Sequence, residues 1–254
     1  MIYSFHTTTG GKHDRGLATL CLSILLLLCT ACGGTGSSSH VSTTTPIGTQ
    51  PVSSTQIQSR SIVYVAIGAS DAVGVGSNQP GSQGYVPLIT DHLSHDSHTL
   101  NLGISGIKIH AALQQELPLA LSTNPQLITI WLVTNDFIGG VPYASYMQDL
   151  NTLLNQLRTS TQARIVMANL PDVTRLPLLA HLDATKKAAL QHEVQRWNAQ
   201  IAILAHQYHV TLVDLSAHNS QITAHPEYIS GDGFHPSAAG YVQLANFFWS
   251  AIKS

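Results

Sequence analysis

Asp232 and His235 stand three residues apart in "ISGDGFHPSAAGY" (229–241), near the C-terminal end of a 254-residue chain. That spacing suits a tight turn in which the carboxylate accepts one ring N–H, fixes the tautomer and stabilises the imidazolium. The other ring nitrogen is then left as a base that works near neutral pH. A base of this kind needs a proton to take. Ser70, in "GASDAVGVG" (68–76), offers a hydroxyl among small residues directly after an apolar run, and a serine becomes a nucleophile when a base removes its proton. The three together are the parts for acyl transfer. The tetrahedral intermediate of that chemistry needs hydrogen-bond donors for its oxyanion. The Ser70 amide, the Gly106 amide in "GISG" (103–106) and the Asn135 carboxamide in "TNDF" (134–137) form the available set. Pro236 is expected to open the last helix, where no amide donor is needed.

These residues can meet only if the chain folds them to one place. "SIVYVAI" (61–67), "TLNL" (99–102), "LITIWLV" (127–133), "RIVMANL" (164–170) and "VTLVDL" (210–215) are short, β-branched and apolar on both faces, as buried parallel strands are. Helical patterns separate them. Tyr143, Met147, Leu150, Leu153 and Leu157 share one helix face, as do Leu190, Val194, Trp197, Ile201, Leu204 and Tyr208. The last helix carries Tyr241, Leu244, Phe248 and Ile252. Five such repeats predict an α/β fold, an open parallel sheet with helices on both faces. Ligands bind such sheets at the carboxyl ends of the strands, and Ser70, Gly106 and Asn135 each follow a strand there. "PDVTRLP" (171–177) follows the fourth, and the fifth leads on to "DGFHP" (232–236).

Taken in order, the blocks around Ser70, Gly106, Asn135 and His235 resemble those of the SGNH hydrolases, also called GDSL esterases and lipases. The resemblance covers residues 61–254 and includes "NLPDVTRLP" after the fourth strand. It implies a flavodoxin-like, three-layer α/β/α sandwich around a five-stranded parallel sheet, and ester hydrolysis without metal or cofactor. It assigns the nucleophile to Ser70, the oxyanion hole to Ser70, Gly106 and Asn135, and the Asp–His pair to Asp232 and His235. Two positions depart from the family pattern. Where Gly-Asp-Ser is usual the chain has Gly68-Ala69-Ser70, with the acid after the serine at Asp71; where Gly-x-Asn-Asp is usual, Val133 replaces the glycine. A binding module that keeps this fold without catalysis is the reading from a different class, and those two departures are its support.

The remaining sequence bounds location and partners. Lys12 and Arg15 precede the apolar run 17–28, which has the length of a signal peptide. "CTACGG" follows, and Cys32 resembles the lipidated cysteine of a bacterial lipoprotein, although Cys29 stands where Leu is usual. Export with a lipid anchor at Cys32, and so membrane contact, is the expectation; an ordinary secretory signal or an uncleaved anchor is the alternative. Residues 33–60 hold 13 Ser or Thr among 28 and read as a tether. The hydrolase domain is placed at 61–254. Beyond Arg60 there are eight Lys and Arg against twelve Asp and Glu and no cysteine, which excludes a nucleic-acid footprint, disulfides and a cysteine nucleophile. His92, His95 and His98, like His206 and His209, lack the converging partners of a metal site and are expected on solvated helix faces. Asp136 and Asp172 are expected to brace loops, and Arg175 to lie on the surface. The substrate is expected to be a small-molecule or polysaccharide ester and the protein a monomer; a lipase or arylesterase and a carbohydrate deacetylase both fit.

Overall fold

The structure, a computed structural model, describes Thr55 and residues 60–254. The leader with Cys32 and nearly all of the Ser/Thr-rich tether lie outside the described residues. β1 (Val63–Gly68) runs into the short helix α1 (Ser70–Val73), then α2 (Pro80–Gln83) and α3 (Tyr85–Thr90). β2 (His98–Asn101) precedes α4 (Ile109–Gln115) and α5 (Leu117–Ser122), and β3 (Leu127–Trp131) precedes α6 (Val133–Ile138) and α7 (Tyr143–Ser160). β4 (Arg164–Ala168) leads through two single-turn helices to α8 (Ala184–Gln207). β5 (Thr211–Val213) leads through α9 (Asn219–Ala224) to α10 (Ala238–Lys253).

All strand pairs are parallel, in the order β2-β1-β3-β4-β5. The direction of the crossovers therefore reverses between β1 and β3. Because parallel crossovers are right-handed, the reversal puts the early and late helices on opposite faces of the sheet. α10 returns to pack on α3 and to cover β4 and β5, while α4, α5, α7 and α8 pack with one another. The result is the three-layer α/β/α arrangement.

Burial follows this layering. β3 is buried at every residue and β1 at all but its first, so both faces of the central strands are covered and their continuous apolar sequence is accounted for. β2 departs from the expectation of a strand buried on both faces: its four residues are exposed or half-buried, as suits a strand at the sheet edge. The stripe on α7 is buried at Tyr146, Met147, Leu150, Leu153, Leu154 and Leu157. α10 buries Tyr241, Leu244, Phe248 and Ile252, and Phe248 stacks on Tyr85 of α3 at 5.0 Å. Pro236 does not open α10, as the sequence suggested. Ser237 is the N-cap and its side chain accepts from the Gly240 N–H at 3.2 Å, while Pro236 forms an antiparallel bridge with Ile229. The serine supplies an acceptor for an orphan helix amide, which proline cannot do.

The end of β1, which presents Ser70, rests on a buried acid. The Gly68 N–H donates to Glu116 Oε1 at 3.4 Å, and Glu116 Oε2 has no partner among the described residues. Burial pushes the Glu116 carboxyl up to about 8, the Gly68 bond opposing it only in part. The carboxyl is therefore neutral at pH 7. A raised native value means that its contribution to stability is complete below the ordinary Glu range and is lost as pH rises to about 8. Thermal melts should show the wild-type Tm falling between about pH 5 and about pH 8. Glu116→Gln, which needs no proton to stay neutral, should flatten that fall and be the more stable protein above it. Parallel Tm curves for the two proteins would refute this role of Glu116.

Candidate active site

Ser70 is the first residue of α1, immediately beyond the carboxyl end of β1, and is 6% exposed. Its Oγ lies 2.9 Å from His235 Nε2, and His235 Nδ1 lies 2.6 Å from Asp232 Oδ2. The structure thus brings together three side chains drawn from opposite ends of the domain. The loop that carries His235 is tied at several points. Asp232 Oδ1 accepts from Ser230 Oγ (2.7 Å), the Phe234 N–H (2.8 Å) and the His235 N–H (3.0 Å), and the Ser230 N–H donates to the His235 carbonyl at 2.8 Å. Burial alone would raise the Asp232 carboxyl. The bonds from His235, Ser230 and the two amides outweigh it and hold the group well below the usual carboxylate range. Asp232 is therefore an anion at any pH at which His235 can act as a base.

Gly106 has φ +78, a left-handed backbone that favours glycine. Nothing lies within 4 Å of where a Cβ would stand. Backbone conformation is thus a sufficient reason for glycine here. Neither the Ser70 nor the Gly106 N–H has an acceptor among the described residues. Asn135 is not in a loop, as its strand-end position implied; it lies in α6, and its Nδ2 donates one hydrogen to the Ile107 carbonyl at 3.0 Å. That bond ties Asn135 to the residue after Gly106 and leaves a second N–H on the same nitrogen. Val133 begins α6 and is not among the residues with positive φ, so the glycine usual at this position is not required by the backbone. Asp136 Oδ2 accepts from the Ile109 N–H at 3.0 Å, and burial pushes its carboxyl up to about 6.

Of the other residues singled out in the sequence, His98 lies in β2 and His92 and His95 in the turns before it, not on a helix face, because α3 ends at Thr90. Asp172 accepts from the Thr174 N–H and Oγ1, from Arg175 Nε at 3.1 Å and from Gln191 Nε2 at 2.9 Å, and so braces the loop after β4. His92 stacks on Trp249 at 4.6 Å and His95 contacts Asp96. Among the described residues no three His, Asp or Glu side chains group as metal ligands.

Gly76 is a site residue that sequence reasoning passed over. It has φ +100, and a Cβ there would run into the Pro236 carbonyl oxygen and stand 2.9 Å from His235 Cβ and 3.0 Å from Ser230 Oγ. The residue before it, Val75, accepts at its carbonyl from Tyr241 Oη at 2.6 Å. The segment after the serine is thus pressed against the histidine loop and pinned to α10. The glycine in "GVG" was the available signal, but only a partner loop from the far end of the chain explains it.

The model of the GDSL-like lipase/acylhydrolase family matches residues 66–243. The chain belongs to that family. It is a carboxylic ester hydrolase of the GDSL or SGNH type. No curated protein matches it. Solved structures share its fold. TesA aligns with a TM-score of 0.61 at 22% identity, over 75% of this chain and 98% of that one. The acetyl xylan esterase AlAXEase aligns with 0.60 at 18%, over 75% and 99%. The acetylxylan esterase Axe2 from Geobacillus stearothermophilus aligns with 0.61 at 17%, over 76% and 94%.

Gly76→Ala in this GDSL hydrolase should displace the histidine loop without unfolding the sheet. Esterase turnover should fall on the order of 10²-fold, the cost of an ångström-scale misplacement, with an unchanged far-UV circular dichroism spectrum. Full activity in that variant would show that the contact does not set the geometry.

Proposed function

We propose that this chain hydrolyses carboxylic esters through an acyl-enzyme on Ser70, with His235 as general base and then general acid, and Asp232 holding the imidazole. The observation that carries the reading is the continuous relay from Ser70 Oγ to His235 Nε2 (2.9 Å) and from His235 Nδ1 to Asp232 (2.6 Å). In the first half-reaction His235 takes the hydroxyl proton as Ser70 Oγ bonds to the ester carbonyl carbon. The C–O bond to the alcohol then breaks, and His235 returns the proton to the departing oxygen. In the second half a water is deprotonated by the same imidazole, attacks the acyl-serine, and releases the acid and free Ser70. The oxyanion that forms in each half is met by the Ser70 and Gly106 N–H groups and by the second Nδ2 hydrogen of Asn135.

This assignment is tested by covalent labelling. A fluorophosphonate should label the wild-type protein and fail to label Ser70→Ala. Ser70→Ala and His235→Ala should lose on the order of 10⁶ in turnover, and Asn135→Ala about 10²–10³. Undiminished turnover by Ser70→Ala would overturn it.

The rim around Ser70 favours an ester with an apolar acyl portion over an acetylated sugar. Ile104, Ile138 and Leu178 are 39, 44 and 48% exposed. Ile104 lies two residues before Gly106 and Ile138 three after Asn135. The Leu178 N–H donates to the Gly233 carbonyl, inside the Asp232–His235 turn, at 3.0 Å. Three large apolar side chains thus stand in solvent on the three segments that frame the serine. Across p-nitrophenyl esters from acetate upward, kcat/KM should rise with chain length, by up to about fourfold for each fully buried CH₂ at ~0.8 kcal/mol. Highest activity on acetate and on acetylated sugars would favour the deacetylase reading instead.

A further inference from the structure

Asp71 is an acid beside the nucleophile that the relay does not use. It follows Ser70 directly in α1, is 8% exposed, and lines a cavity of about 100 Å³. The walls of that cavity are largely apolar and include Trp131, Phe234, Pro236, Leu244 and Phe247. Phe234 and Pro236 are the two chain neighbours of His235, so the cavity lies against the loop that carries the imidazole. Among the described residues the Asp71 carboxylate accepts from its own backbone N–H and from no other side chain. A carboxylate kept this dry without a side-chain partner is costly to fold, and no structural bond accounts for it.

Its surroundings point to a role. His235 and Asp232 both act on it electrostatically, the imidazole favouring its anion and Asp232 opposing it. Tyr85 on α3 and Tyr241 on α10 feel its charge. His218 and Tyr228 line the same cavity, and no Lys or Arg does. Among the described residues the group that acts on Asp71 as a favourable charge is the imidazolium that His235 becomes when it takes the Ser70 proton.

We propose that Asp71 is a positioning residue acting through His235, a second anionic partner that stabilises the imidazolium while Asp232 holds the ring. This rests on reading His235 as the base for Ser70. The acid usually found before the serine stands after it in this chain, and its burial beside largely apolar walls strengthens its field. Burial pushes the Asp71 carboxyl up to about 6. Above that pH its charge favours the protonated imidazole and so makes His235 a stronger base. Below it Asp71 takes a proton and that support is lost.

The test is the pH profile of kcat/KM on a p-nitrophenyl ester for the wild type, Asp71→Asn and Asp71→Glu. The wild-type acid limb should become steeper than one proton just below about pH 6, because protonation of Asp71 there slows the molecules that still hold a neutral His235. Asp71→Asn should show a one-proton limb displaced to lower pH by about half a unit to one unit, with kcat lowered on the order of tenfold and KM little changed. Asp71→Glu, which keeps the charge, should recover the steeper limb. An Asp71→Asn profile with wild-type slope and position, however low its kcat, would overturn the proposal and leave Asp71 a packing residue. Should Asp71→Asn fold poorly, a strictly one-proton acid limb in the wild type is itself enough to overturn it. Retained activity in Ser70→Ala marks a different failure, that of the underlying relay, and takes this proposal down with it.

Discussion

The contact between Ser70 Oγ and His235 Nε2 joins two residues 165 positions apart, and most of the fold exists to make it. Ser70 leaves β1 at the point where the strand order reverses, while the histidine follows β5, which pairs only with β4 at the far side of the sheet. The chain after β5 must therefore pass back across the carboxyl ends of β4 and β3. It does so through α9 and the Ile229–Pro236 bridge, and the return is fixed by α10 packing on α3. The Tyr85–Phe248 stack and the Tyr241 bond to Val75 lie on that same route. Helix docking and relay geometry are one constraint: a shift of α10 along α3 moves the imidazole away from the hydroxyl.

Electrostatics around the site divide by hydrogen bonding rather than by burial alone. Asp232 gathers four donors and stays ionised despite its partial burial. Glu116, Asp136 and Asp71 lie deeper, have few donors each, and are all pushed up by desolvation. The consequences differ with place. At Glu116 a neutral acid beneath the end of β1 does no harm to catalysis, since it faces a backbone amide and not the imidazole. At Asp71 the same desolvation sets the pH above which a charge exists next to His235.

Much of this was legible in the sequence because two independent periodicities agreed. Apolar runs with β-branched residues gave five parallel strands, and the three-and-four spacing on α7 and α10 gave the covering helices. The chemistry-bearing residues then fell at strand ends. What was not legible depended on partners distant in sequence. β2 reads as a buried strand because "TLNL" is apolar enough, and only the strand order makes it an edge. Pro236 looks like a helix opener, but Ile229 captures it and Ser237 offers the better cap. Asn135 reads as a loop residue because nothing in "TNDF" reveals that α6 begins at Val133. Gly76 needs the histidine loop before its lack of a side chain has a reason.

Ala69 and Asp71, on either side of the serine, meet different neighbours. Residue 69 lies before the first turn of α1 with φ −107 and ψ −143, and its carbonyl oxygen would stand 3.0 Å from a Cβ on Gly103. That side of the serine abuts the loop after β2, where Gly103 is also crowded by Ala72 and leaves no room for growth. Asp71 is not among the atoms that crowd Gly103. It meets the cavity against the His235 loop instead. Two residues further along than the family's usual acid, the Asp71 carboxylate meets this cavity and acts on His235, while the Ser70 hydroxyl keeps its place 2.9 Å from His235 Nε2.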